Sequence, residues 1–121
     1  MLSSTLLTQN DSLAALNKKE TISLKDIFKN VSFIGTRTSG DLIRDKIKNI
    51  IDLDKIAIID FKDIEGITQG FGDSIIGIFV RAYGRNYVKK NIKAINYNEE
   101  IKTILNWVVD YNSSIKESAV N

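Results

Sequence analysis

Asp60, Asp63, Glu65 and Asp73 place four carboxylates within a single short stretch of the chain. Such a cluster could hold Mg²⁺, which takes one or two carboxylates and completes its shell with water. It could also let Asp60 accept a phosphoryl group. A phospho-accepting aspartate needs further groups, an acidic pair after the first strand and a lysine after the last. The region after Leu24 offers only Asp26, and the strand ending near Asn96 is followed by Tyr97. Solvated turn carboxylates are the simpler reading, with a Mg²⁺-dependent hydrolase or phosphotransfer protein as the enzymatic alternative.

The rest of the composition narrows the chemistry. The chain has no histidine and no cysteine. The commonest acid/base group near neutral pH and the commonest zinc ligand are therefore missing, as are a thiol nucleophile and disulfides. Catalysis would fall to carboxylates, hydroxyls, Lys or Tyr. The expectation is a protein that is not an enzyme, with no catalytic residue, no metal ligand set and no cofactor.

Seventeen Lys and Arg face fifteen Asp and Glu, a net charge of +2. That balance argues against nucleic acid as the partner. Arg37, Arg44, Arg81 and Arg85 could still grip an acidic partner. Lys89 and Lys90, with Tyr83 and Tyr87 interleaved, extend a basic zone. No apolar run approaches the roughly 20 residues of a membrane-spanning helix, and the first residues lack a basic, then apolar, leader pattern. A cytoplasmic protein without a membrane partner is expected, and a homodimer stays open. A length of 121 residues with 43% hydrophobic and 26% charged content suits one globular domain.

Any site must be positioned by the elements around it. Residues 1–20 read as a polar arm with an apolar patch at Leu13, Ala14, Ala15 and Leu16, and 112–121 as a frayed tail. Between them, Ile22–Leu24 and Val31–Ile34 alternate like half-buried strands. Thr38 and Asp41 have the spacing of a helix cap, followed by a stripe of Leu42, Ile43, Ile47, Ile50 and Ile51. The run Ile56–Ile59 is continuously apolar, as in a strand covered on both faces. A Gly-containing loop, Lys62 to Gly70, leads to a helix near 72–83 that carries Ile75, Ile76, Phe79, Val80 and Tyr83 and ends at Gly84. Asp73 is expected to cap that helix itself, which would repel an anion from its N-terminus. Ile92–Ile95 reads as a strand. Asn98 caps a last helix with a stripe of Ile101, Ile104, Leu105, Val108 and Tyr111, and Trp107 is expected in or beside the core. Alternating strands and helices imply right-handed crossovers and an α/β fold.

Two stretches resemble a known family. Ser39-Gly40-Asp41-Leu42-Ile43-Arg44 resembles the helix start of a bacterial and phage STAS-like family of unknown function, and Asp60 through Ser74 resembles its strand, Gly turn and helix start. The resemblance covers roughly residues 21–111. It implies a STAS-like sandwich with a mixed or largely parallel four-stranded sheet and three helices, and a regulatory module that binds a protein. A histidine-kinase-like ATPase or a host protein is the implied partner, with a mobile-element-encoded modulator of a host protein or nucleic acid as the alternative. STAS domains of the anti-anti-sigma type are switched by phosphorylation of a serine at a helix start. Here Ile67–Phe71 occupies that position and contains no serine. Thr68 and Ser74 are the nearest hydroxyls, and so the candidate phosphorylation sites. The binding surface implied is the loop 63–73 with the adjacent helix: Asp63, Glu65, Gly66, Thr68, Gln69, Phe71 and Asp73, together with Arg44.

Overall fold

The computed structural model describes residues 18–120, with side chains through Ile115. The apolar patch at Leu13–Leu16 lies outside the described residues. The elements run β1 (Lys19–Ser23), α1 (Leu24–Ile27), β2 (Phe33–Ile34), α2 (Arg37–Asp52), β3 (Ile56–Asp60), β4 (Gly66–Ile67), α3, α4 (Arg85–Asn91), β5 (Ile92–Ile95) and α5 (Glu99–Val120). Helix α3 is built head to tail from Gln69–Gly72, a π-helical turn at Asp73–Gly77, and Ile78–Tyr83.

All strand pairs are parallel. The larger sheet has the order β1-β3-β5, and a separate two-stranded sheet pairs β2 with β4. The α/β character and the parallel sheet agree with the sequence pattern, but the single four-stranded sheet with three helices does not. Sheets of three and two strands with five helices are found among the described residues. Strand Phe33–Ile34 does not join the larger sheet and pairs instead with Gly66–Ile67, inside the segment read as loop. Helix α1 is a single turn capped by Ser23, whose Oγ accepts from the Asp26 N–H at 3.3 Å. Helix α4 carries one buried residue, Val88, in an otherwise polar sequence, so no stripe betrays it.

The larger sheet is packed from one side. Ile22, Ile59 and Ala94 share one face with Ala57 and Ile92, and of these only Ala94 is not fully buried. On the opposite face, Ile56 and Ile58 are only half-buried beside exposed Thr21 and Lys93. The continuous apolar run of β3 is thus covered fully on one face, not two, among the described residues. Ile43 and Ile47 of α2, Ile75 and Val80 of α3, and Ile101 and Val108 of α5, all buried, belong to one core cluster with the covered face.

Helix ends follow local chemistry. Thr36, not Thr38 with Asp41, caps α2: its Oγ1 accepts from the Ser39 N–H at 3.1 Å. Thr68, not Asp73, caps α3, accepting from the Phe71 N–H at 3.0 Å. Gly84 ends α3 at φ 97°, a conformation glycine adopts freely. Asn98 caps α5 as expected, through its Oδ1 and the Ile101 N–H at 2.9 Å. This last helix continues past Tyr111 through Val120, and β1 begins at Lys19, so regular structure extends beyond the 21–111 span at both ends. No helix among the described residues is long and apolar enough to cross a membrane.

Candidate functional site

The small sheet sets the geometry of the loop that leaves β3. Its register places Phe33 beside Gly66 and Ile34 beside Ile67. Ile34 and Ile67 are buried, so strand alternation turns Phe33 outward. The ring rests on Gly66: a Cβ there would lie 2.8 Å from Phe33 Cδ2 and Cε2, so only glycine admits this seat. The ring stays 55% exposed, next to exposed Val31. Beyond the sheet, α2 and α3 start side by side, each capped by a threonine. Thr68 Oγ1 accepts from Phe71 N–H and donates to the Gly35 carbonyl at 3.4 Å, tying the two helix starts together.

Of the residues singled out from sequence, Asp63, Glu65 and Thr68 lie between β3 and α3 and Gln69 is the first residue of α3, and all but half-buried Thr68 are exposed. Asp63 turns the chain at φ 62°, a conformation Asp tolerates better than most residues. Lys25 Nζ donates to its Oδ2 at 2.6 Å, across open solvent. That hydrogen bond, with the lysine's charge second, holds the Asp63 carboxyl below its ordinary range and raises Lys25.

The others are elsewhere. Gly66 is buried beneath Phe33, and Phe71 is a core side chain, 1% exposed. Arg44 lies on α2, paired with Asp41 at 3.2 Å and facing a groove of about 350 Å³ toward Tyr83 of α3. Ser74 is half-buried and pressed against Gly40 of α2. A phosphoryl group on Ser74 would have to part α2 from α3, and one on Thr68 would break the α3 cap.

Asp73 sits inside a polar knot between α3 and α5. Arg81 Nη1 donates to Asp73 Oδ1 at 2.9 Å and also to Asn112 Oδ1. Asn112 Nδ2 donates to Asp73 Oδ1 at 3.0 Å and to the Val108 carbonyl at 2.8 Å. Asn112 is 1% exposed, and every polar atom of its side chain is used. Gly77 makes room for the knot. A Cβ there would collide with Asp73 Oδ1 and lie 2.5 Å from Asn112 Nδ2. The π turn at Asp73–Gly77 is the kind of local widening that often accompanies a special packing or functional need.

The four carboxylates do not converge. Asp60 Oδ1 accepts from the Lys62 N–H and from Asn96 Nδ2, Asp63 pairs with Lys25, and Asp73 belongs to the knot. Among the described residues, no group of three or more acidic, His or Cys side chains could hold a metal ion. The basic zone is partly neutralised, since Arg81 pairs with Asp73 and Arg85 with Asp110 at 2.9 Å.

Sequence reasoning missed Phe33 and Asn112. Phe33 was legible in principle, because an inward Ile34 in Val31-Ser32-Phe33-Ile34 turns Phe33 out. Asn112 gave no signal, lying in a polar stretch. Trp107, expected in or near the core, is instead 47% exposed and stacks on exposed Tyr111 with centroids 5.0 Å apart. The buried stripe of α5 is Ile101, Leu105, Val108 and Asn112.

A family model described as "STAS-like domain of unknown function (DUF4325)" matches residues 39–102, from the first turn of α2 to the first turn of α5. No curated protein and no solved structure matches the chain.

Proposed function

This chain belongs to the STAS-like domain family of unknown function, and on that premise we propose that it is a non-enzymatic regulatory module that binds a protein partner through the loop after β3. The observation that carries the reading is Phe33. It is a large aromatic ring, seated against Gly66 and exposed Gly35 and left open to solvent. An aromatic anchor ringed by polar groups is the usual energetic centre of a protein interface. It also stands by the loop leaving the carboxyl end of a parallel strand, where α/β folds gather their ligands.

Asp63, Glu65, Thr68 and Gln69 form the polar part of this surface, while Arg44, Phe71 and Asp73 fall outside it. The partner classes implied by the family resemblance, a histidine-kinase-like ATPase or a host protein, would both meet the same patch. Thr68 caps α3 and Ser74 lies against Gly40 of α2, so a phosphoryl group on either would disturb the start of α3, and the binding proposed does not call on one.

The test is affinity purification from the native cell with the unaltered chain and with Phe33→Asp. A stoichiometric protein that co-purifies with the first and is lost from the second, with far-UV circular dichroism unchanged, supports the reading. Equal recovery with Phe33→Asp overturns it.

A further inference from the structure

The two outer edges of the larger sheet differ in charge. Among the described residues, both β1 and β5 pair on one side only, and each of these outer edges borders a groove. The groove at β1, about 420 Å³, mixes Glu20, Asp26 and Lys46, and Glu20 is paired with Lys55 at 3.6 Å. The groove at β5, about 520 Å³, has three charged groups, and all are cationic: Lys89, Lys93 and Lys102. None of the three forms an ion pair among the described residues. The acidic groups on neighbouring turns do not neutralise them. Asp110 is taken by Arg85, and Glu99 and Glu100 sit exposed at the start of α5 without pairing to Lys102.

The shape of this groove adds to the charge. Ile92, Lys93 and Ala94 line it consecutively, and among the described residues β5 pairs only with β3, so the N–H and C=O groups of its other edge have no strand partner. The floor is apolar, from Ile76 of α3, Val88 of α4 and Leu105 of α5. An extended segment laid beside β5 would gain main-chain hydrogen bonds, alternate side chains on the apolar floor, and charge pairing at the rim. Lysine on an edge strand also discourages indiscriminate pairing, so an occupant must bring negative charge to be admitted.

We propose that the free edge of β5 is a second docking site, which takes an acidic, extended segment of a partner protein as an added strand. It is separate from the Phe33 surface and does not depend on it.

The probe is a labelled short peptide of alternating Val and Glu, titrated into the ¹⁵N-labelled chain and followed by amide shifts and fluorescence anisotropy. Shifts should concentrate at Ile92–Ile95 and on the α4 and α5 residues of the groove. The charge-reversed variant K89E/K93E/K102E should weaken binding by at least roughly tenfold. N-methylation of alternate peptide amides, which leaves charge intact, should abolish it. Phe33→Asp should bind the peptide as well as the unaltered chain, which separates this site from the proposed function. Equal binding of the N-methylated peptide, or of a Val-Lys peptide, would overturn strand addition. So would a short single-stranded DNA that shifts the same amides while the Val-Glu peptide shifts none.

Discussion

The start and the middle of α3 are built in opposite ways. At its start, Thr68 makes a single cap, and the neighbouring aromatic, Phe33, is left in solvent on a glycine seat. One turn further on, Asp73, Arg81 and Asn112 satisfy one another, with Gly77 cleared to admit them. Charged groups are what sequence draws attention to, yet here the conspicuous Asp73 and Arg81 are occupied in joining two helices. The apolar Phe33, filed by its pattern as part of a half-buried strand, is the ring left open to solvent, and it is the anchor of the binding surface proposed above. A reactive-looking side chain with all its hydrogen bonds filled is architecture, whereas an exposed ring with no intramolecular need is available.

The comparison breaks most sharply at the knot. Gly77→Ala forces a methyl group into Asp73 and Asn112, so overpacking and lost hydrogen bonds combine to cost about 2–4 kcal/mol in urea unfolding. Asn112→Ala removes one corner and leaves Arg81 and Asp73 short of a partner, a loss of about 1–3 kcal/mol by the same measurement. At the start of the helix, Thr68→Ala removes the cap and should cost roughly 1 kcal/mol. Phe33→Ala should change stability by about 0.5 kcal/mol or less. A loss as large as that of Asn112→Ala would make the ring a structural group and erase the contrast.

The Lys25–Asp63 pair gives the smallest effect. Asp63 is held below its ordinary value, so what the pair contributes is present at neutral pH. It is lost as the pH falls through that lowered value. Lys25 is raised, so the same contribution is also lost as the pH climbs through the raised lysine value. Because both groups are solvent-exposed, the readout is titration rather than melting. Carboxyl NMR shifts of Asp63 should move back toward the ordinary aspartate range in Lys25→Ala.

The elements legible in the sequence were those whose apolar spacing is long and regular. Ile43, Ile47 and Ile50 declared α2, Ile56–Ile59 declared β3, and Asn98 followed by Ile101 and Leu105 declared α5. Gly66–Ile67 did not declare a strand, because two residues cannot show a period and the glycine reads as a turn. Arg85–Asn91 did not declare a helix, with only Val88 fully buried and Tyr87 next to it in sequence half-buried, which makes no helical stripe. The site was half legible. Asp63, Glu65, Thr68 and Gln69 come close together in the chain, between the end of β3 and the first residue of α3. Which carboxylate is filled and which ring is bare depends on contacts between distant segments, such as Asp73 with Asn112 and Phe33 with Gly66, and local spacing carries no record of these.

The most direct measurement is photo-crosslinking in the native cell, with a benzophenone side chain placed at position 33 in one experiment and at the exposed position 107 in another. The account predicts one discrete adduct to a single partner protein from position 33 and none from 107. An adduct from 107 with none from 33 would contradict it.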